Sequence, residues 1–568
     1  MHPRKCAALV LGLACLGILC FRLAIPLPNS RDGGLPKLDG AQDIVEVDAY
    51  PSQVIGPISP LIYGMANPSE AHYRDLRLKL TRWGGNPASR YNWEKGNCWN
   101  AAADWEFRNG NYDQNSPSDR LPSGAADQGI ERNRLHGAEM LLTIPTLGWV
   151  AKDDNNNSRS LGVPEKGGDP ISLGSNAIAG YDPSENQKRV SQRSIARKGI
   201  SFTDPPNLKD DFVAQDEWVY HLKKRFGSAD KGGVRYYAMD NEPDLWAGTH
   251  RDMHPVRPDY DEILHTFLDY ASAVKEVDPS AQVTGPVSWG WSGYFYSPRD
   301  EGDDRYHASA DRKKHGDVPF LPWFLKSVAN SDNKRGRRTL DILDIHYYPQ
   351  GTGVYSGAKD SETNALRLRS VRGLWDDSYR DESWINEPVR LIPRLREWVR
   401  DNYPGTKIGL TEWNWGADDT VNGGLAVAEV LGILGREQVD MACYWTSPKE
   451  GTPGFFAYKM FRNADGAGNG FGEIAVKAIS KRPNDVSAYA SLDSKTGQPV
   501  IMLINRQETS EQAVQLKIFA GTGGKLAKGY RYSKANLNGV ELLKSVEVNS
   551  GEVRLRLPAS SITLFRID

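Results

Sequence analysis

Eight short runs of β-forming residues recur along the chain, with helical or polar stretches between them. They are Leu61 to Ala66, Leu78 to Arg82, Met140 to Pro145, Val234 to Met239, Gln282 to Val287, Leu340 to His346, Lys407 to Thr411 and Asp440 to Trp445. Several are apolar on both faces, the pattern of parallel strands covered on both sides. Between them, apolar residues at 263, 264, 267, 268, 271 and 274 follow the 3.6-residue period and predict a helix over 259–277. Asp259 with Glu262 three positions on reads as a capping box at its start. Val219, Leu222 and Phe226 share one face of a second predicted helix over 212–226, and Gly227 stops it. Strand–helix alternation on this scale predicts an α/β fold, a (β/α)8 TIM barrel spanning 58–475. Beyond it the period changes to two: Val514, Leu516 and Ile518 alternate with polar residues, as do Val553, Leu555 and Leu557. That pattern predicts a smaller antiparallel β-sandwich domain over 476–568, with the strand-like segment 44–57 contributed to it. Two long polar stretches, 151–210 and 292–318, are read as loops at the C-terminal face of the barrel, where active sites of this fold lie.

The N-terminus has a different texture. Arg4 and Lys5 precede an apolar run from Ala7 to Phe21, which fits a signal peptide over 1–28, followed by a linker over 29–43. No clear small-residue cleavage site follows, so an uncleaved anchor is the alternative, and the expected location is secreted or extracytoplasmic. Three of the five Cys lie in this leader, which leaves Cys98 and Cys443 and excludes a disulfide framework. With 70 basic and 72 acidic residues, no global field recruits nucleic acid or an anionic membrane, and an uncharged ligand fits better. The 16 Trp and 24 Tyr agree with a sugar ligand, although core packing uses the same residues.

The candidate chemistry lies at the ends of the predicted strands. The second ends in Arg82-Trp83-Gly84-Gly85-Asn86 and the fourth in Asp240-Asn241-Glu242-Pro243. The sixth ends in His346-Tyr347-Tyr348, the seventh in Glu412-Trp413-Asn414-Trp415 and the eighth in Tyr444-Trp445. Barrel closure brings Glu242 and Glu412 face to face. Glycosidic cleavage needs such a pair: one carboxylic acid protonates the leaving oxygen while a carboxylate attacks or supports the anomeric carbon. Glu242 is expected to have a raised pKa from partial burial and the charge of Glu412. His346 is read as a hydrogen bonder rather than a catalyst, and His250 with His254 as structural. The Gly-rich run 466–472 lacks the Lys-Ser/Thr of a phosphate loop and is read as a turn.

The strings RWGGNPASRYNWE (82–94), TIPTLGWVAKD (143–153), YAMDNEPDLWAGTHRDMHP (237–255) and LTEWNWG (410–416) together resemble glycoside hydrolase family 44. The resemblance implies a barrel with a β-sandwich and an endo-acting, configuration-retaining hydrolase of β-1,4-glucans, xyloglucan foremost. It implies Glu242 as acid/base and Glu412 as nucleophile. By the pattern of the wider clan, Asn241 bonds the sugar 2-hydroxyl, Tyr348 or Tyr347 positions the nucleophile, Arg82 keeps Glu412 ionised and Trp445 lies under the sugar. Trp83, Trp149, Trp246 and Trp413 are stacking candidates, with core packing equally open for each. The resemblance implies no catalytic cofactor but a structural Ca2+, for which Glu94, Asp104 and Asp153 are available acids without an assigned ligand set. A monomer is expected. The alternatives are an endohydrolase of mannan or xylan, and a catalytically silent carbohydrate-binding protein of the cell wall.

Overall fold

The computed structural model describes residues 43–99, 108–111, 122–159, 188–519 and 526–568. The leader, most of the linker and Asp104 lie outside the described residues. Eight strands close into a barrel: Gly64–Ala66, Leu80–Trp83, Glu139–Ile144, Tyr236–Met239, Gln282–Ser288, Ile342–Tyr347, Lys407–Trp413 and Met441–Tyr444. They are referred to below as the first to eighth. Neighbours are parallel throughout, and the eighth pairs with the first through Cys443 opposite Gly64. Glycine is required at that seam, because a Cβ on Gly64 would meet the Ala442 carbonyl at 2.7 Å. Leu80, Leu141, Tyr236, Ala238, Val287, Ile342, Met441 and Cys443 point inward and fill the barrel with side chains, so it is a packed core and not a pore.

The sequence pattern located every barrel strand, with local differences that have physical causes. Pro60 to Tyr63 forms a 3-10 turn, because the Ser59 hydroxyl accepts from Leu61 N and Pro60 fits the first helical position, so the first strand starts at Gly64. The helix Tyr260–Val277 is capped by Asp259, whose carboxylate accepts from Glu262 N at 2.9 Å. The box is half made, since Glu262 pairs with His254 Nε2 at 2.7 Å instead. Phe212–Ala214 is a strand, and the helix predicted to begin there begins at Gln215. The polar stretch 151–210 holds part of a second small sheet, in which Ser191–Ile195 pairs with Trp149–Ala151 and with Phe212–Ala214. The stretch 292–318 is short helices, Trp291–Phe295, Pro298–Asp304 and Ala310–Lys314. Their rich charge hid a helical period that depends on an apolar stripe.

Asn97–Trp99 and Asn109–Asn111 form a two-stranded pair, and the other strands make one ten-stranded sheet around its own core, which includes Val45, Val47, Ile501, Leu503, Val514, Leu516, Leu555 and Phe565. Ile44–Pro57 runs through it, antiparallel to Ile474–Ser480 and parallel to Gln512–Ile518. This sheet is tied to the barrel by Glu429 on the helix Val421–Arg436, which accepts from Ser487 Oγ at 2.5 Å and Tyr489 Oη at 2.6 Å. Gly432 lets the two surfaces meet, since a Cβ there would lie 2.7 Å from the Tyr489 ring.

Candidate active site

The mouth of the barrel gathers residues from the second, fourth, sixth, seventh and eighth strands. A cleft of about 1190 Å³ opens there, and Arg82, Asn86, Asn241, Glu242, Tyr348, Tyr355, Glu412 and Trp445 line it. One carboxylate oxygen of Glu242, one of Glu412 and a ring nitrogen of His346 all lie within 4.8 Å of one another. So close an approach is compatible with the roughly 5–5.5 Å separation of a retaining carboxylate pair.

The two carboxylates have different surroundings. Glu412 accepts from Arg82 Nη1 at 2.6 Å on one oxygen and from Tyr348 Oη at 2.7 Å on the other. Burial and the Glu412 charge push the Tyr348 phenol well above its ordinary value, so it keeps its proton and remains a donor. A full positive charge and a neutral donor therefore orient Glu412. Glu242 meets an imidazole. Its Oε1 lies 2.8 Å from His346 Nδ1. Burial, against the opposing pull of Glu412, pushes His346 down to about 3, so the ring is neutral across the working pH range. A neutral imidazole presents either an N–H or a lone pair at Nδ1, depending on tautomer. It can therefore partner Glu242 in both protonation states without adding charge.

The backbone at Glu242 is held in a costly shape. Asp240 and Glu242 both have left-handed φ, +68° and +44°. The Asp240 carboxylate offsets this strain by accepting from Ser89 Oγ, Asn241 N, Thr146 N, Thr146 Oγ1 and Leu147 N. Asn241 is fixed in turn: its Oδ1 accepts from Arg82 Nη2 at 2.6 Å and its Nδ2 donates to Asn86 Oδ1 at 3.0 Å. Arg82 thus links the seventh strand to the fourth, and its guanidinium lies 5.6 Å from the Trp445 ring centroid.

Of the residues singled out from sequence, Arg82, Asn241, Glu242, Tyr348, Glu412 and Trp445 meet at this site. Of the others, Trp83, Tyr347, Trp246 and Trp413 are buried, and Trp149 is half-buried outside the cleft lining. Trp413 is fully buried against Trp415 and Tyr444, and Tyr347 is buried against Trp415, so Tyr348 is the tyrosine that reaches Glu412. Trp83 touches the cleft wall, but its ring packs edge-on against Tyr91 and Trp218. Trp246 is buried with its Nε1 directed at Asp240, and Trp149 packs on the cluster of Leu147, Trp246 and Met253. Sequence reasoning missed Tyr355, half exposed in the cleft and edge-on to Tyr348 at 4.8 Å. It also missed Trp384, 60% exposed, whose Nε1 donates to Gln350 Oε1 while Gln350 Nε2 donates to the Tyr348 carbonyl. Both sit in the long segment after the sixth strand, and their signal was an aromatic residue in an otherwise polar loop.

Among the described residues, the ligand atoms that converge closely enough for a metal are those of Glu242, His346 and Glu412, and there Arg82 already supplies the positive charge. A structural Ca2+ is better suited to Glu94. Its carboxyl is buried, and Oε2 has no hydrogen-bond partner. Burial, then the nearby charges of Glu217 and Asp210, push it up to about 7 against the opposing Lys95 and Lys198. An orphaned carboxylate oxygen suits a hard oxygen-seeking cation, while the neighbouring Glu217 is already paired with Lys198 Nζ at 2.6 Å. Asp153 is engaged locally, accepting from Asn109, Asn155 and Ser158.

Fold and site together define a class, (β/α)8 barrels with paired glutamates at the ends of the fourth and seventh strands. Residues 98–351 match the model of glycoside hydrolase family 44. Endoglucanase A of Paenibacillus lautus is 31% identical over 465 residues, covering 79% of this chain and 62% of that protein. The crystal structure of CelM2, a bifunctional glucanase-xylanase from a metagenome library, superposes with a TM-score of 0.83 at 36% identity, covering 92% of this chain and 99% of CelM2. A Paenibacillus polymyxa xyloglucanase of family 44, solved with xyloglucan, gives 0.80 at 27% identity over 93% of this chain and all of that one. The chain belongs to glycoside hydrolase family 44. It spans less than two thirds of the length of the curated relatives it matches.

Proposed function

We propose that the protein is an endo-acting glycoside hydrolase that cleaves β-1,4-glucan backbones by double displacement with retention, with xyloglucan as the preferred polymer. The observation that carries this reading is the approach of Glu242 and Glu412 within 4.8 Å, with Arg82 and Tyr348 both donating to Glu412. In the first step a Glu412 oxygen attacks the anomeric carbon while Glu242 gives its proton to the departing glycosidic oxygen. The C–O bond breaks and a glycosyl ester forms on Glu412. The ester is neutral, so Glu242 is relieved of the repulsion and serves as base. It takes a proton from water, whose oxygen attacks the anomeric carbon and releases Glu412. Asn241, clamped by Arg82 and Asn86, is placed to bond the 2-hydroxyl as positive charge develops on the ring. All groups in these steps are side chains of the chain itself.

Xylan is the second reading, because CelM2 is described as both glucanase and xylanase and is 36% identical. The test is product release from xyloglucan, carboxymethylcellulose, glucomannan and xylan. Xyloglucan is expected to be cut fastest, with mid-chain cleavage seen as an early fall in viscosity. Faster release from xylan or glucomannan moves the assignment to that polymer, and no cleavage of any of the four removes the hydrolase reading. Export follows from the leader: the protein acts outside the cytoplasm, as a monomer, either released or held by the N-terminal apolar segment.

Calcium at Glu94 is the accompanying structural proposal. Without metal, burial favours the protonated carboxyl, so folding stability falls as pH rises from the unfolded value of about 4.3 towards the folded value of about 7. A bound cation reverses that preference. Ca2+ is therefore expected to raise Tm clearly at pH 8 and little at pH 5, and Glu94→Gln to erase the gain. Equal Tm with Ca2+ and with chelator at pH 8 refutes this placement.

A further inference from the structure

We infer that Tyr355 binds substrate, as a stacking platform for a glucosyl unit beside the one that reacts, and that the buried Arg367 is the positioning residue that holds it there. The inference rests on the hydrolase reading for its ligand, a β-linked glucan chain, and on geometry for the placement. Tyr355 lies in the loop that follows the sixth strand. Its side chain is half exposed and lines the cleft, whereas Val354 before it is fully buried. Its ring meets that of Tyr348 at 4.8 Å between centroids and an angle of 62°, and Tyr348 Oη donates to Glu412. Tyr355 is therefore one ring removed from Glu412, at the wall of the cleft. The edge-on contact leaves a face of its ring uncovered by Tyr348. A phenol offers that apolar face to the C–H face of a pyranose and its polar tip to the sugar hydroxyls.

The loop's own backbone does not fix this placement, because residues 351–360 form neither strand nor helix. Arg367 fixes it from the helix Ser361–Ser370. Its side chain is fully buried, and each nitrogen of the guanidinium serves two acceptors. Nε donates to the carbonyls of Val354 at 3.2 Å and Trp415 at 3.0 Å. Nη2 donates to the carbonyls of Ser356 at 3.2 Å and Ala358 at 3.0 Å. Nη1 donates to Asn364 Oδ1 at 3.0 Å and Asn422 Oδ1 at 2.9 Å. All six acceptors are uncharged, so carbonyl and amide dipoles alone offset the cost of burying the cation. The return is positional: a planar fork sets the directions of three loop carbonyls at once. Tyr355 sits between two of the residues so clamped. Trp415 lies two residues beyond the seventh strand, so the same cation ties this loop to the chain leading from Glu412. The approach is close, since a Cβ on Gly416 would meet the Val354 carbonyl oxygen at 2.5 Å and that of Ser356 at 2.7 Å.

The consequence is kinetic. A sugar beside the reacting one keeps its shape through the reaction, so a platform under it holds ground state and transition state alike. Such a contact contributes to substrate binding and leaves the chemical step alone. A tyrosine that served only to support Tyr348 would behave in the opposite way. Its loss would loosen the donor on Glu412 and lower kcat. The split between KM and kcat therefore separates a platform from a prop.

The experiment measures kcat and KM on cellohexaose, and the Kd of the same oligosaccharide by calorimetry in the Glu412→Gln background, where it is not consumed. Tyr355→Ala is expected to raise KM and Kd about tenfold each and to leave kcat within about twofold. Tyr355→Phe, which keeps the ring, should raise them less. Arg367→Lys cannot reach all six acceptors, so it should raise KM in the same direction and lower Tm. The double variant, Arg367→Lys with Tyr355→Ala, should have no higher KM than Tyr355→Ala, since both changes act through one ring. If Arg367→Lys does not fold, Asn422→Ala removes a single acceptor of the cage and goes through the same cycle. KM and Kd within about twofold of wild type in folded Tyr355→Ala, or a fall in kcat alone, overturn the platform. Additive losses in the double variant overturn the role of Arg367. Tyr355-dependent binding of cellohexaose by a protein that cuts no glucan leaves the inference standing and removes the hydrolase reading. A protein that neither binds nor cuts it removes both.

Discussion

Glu412→Gln is expected to lose at least roughly a thousandfold in kcat on β-glucan, about 4 kcal/mol of transition-state stabilisation. The amide keeps the volume and can still accept from Arg82, so the loss reports nucleophilicity and not collapse of the site. Glu412→Gly extends the argument. It opens a space beside the Arg82 guanidinium and the Tyr348 hydroxyl, two donors directed at a missing anion. Azide should enter it and attack an activated aryl cello-oligosaccharide, giving an azide product of inverted configuration. Wild type should yield a product of retained configuration, read by the anomeric proton signal in the first minutes. A Gln variant with a tenth of wild-type activity would remove Glu412 from the nucleophile role.

The second large effect belongs to Glu242→Ala and is selective. A polymer leaves as a poor alkoxide that needs the proton, so activity on xyloglucan should fall by roughly a thousandfold or more. A dinitrophenyl cello-oligosaccharide leaves as a stable phenolate without help, so its glycosylation step should be nearly spared. Turnover of that substrate should then stall at the glycosyl-enzyme, visible as a burst followed by slow release, because no base remains to activate water. Equal losses on both substrates would place Glu242 outside the proton transfer.

Much of this was legible in the chain, and the rest has a common cause. The barrel strands stood out because burial on two faces leaves an apolar run, and the Glu242–Glu412 pair stood out because such runs end in polar residues that no core can absorb. Direction was harder. Side chains alternate along a strand, so once Glu412, Arg82 and His346 face the cleft, their neighbours Trp413, Trp83 and Tyr347 must face the surrounding helices. Applied at the strand ends, that rule alone separates the three buried aromatics from the true lining. Tyr355 and Trp384 obey no such rule. Their positions come from a long connection after the sixth strand, where the path of the backbone is fixed by tertiary contacts such as the Trp384–Gln350 hydrogen bond. The Asp240 cradle was equally hidden, since its donors Ser89, Thr146 and Leu147 come from two other loops.

The place of Ile44–Pro57 in the sheet has a consequence for how the chain is made. The strand lies between Ile474–Ser480 and Gln512–Ile518, so neither of its partners exists until more than four hundred residues have been synthesised after it. Closing a loop of that size adds little free energy per doubling of length, but it makes the last step of folding a long-range one and therefore slow. During that interval the ribosome holds a chain that cannot reach its final form.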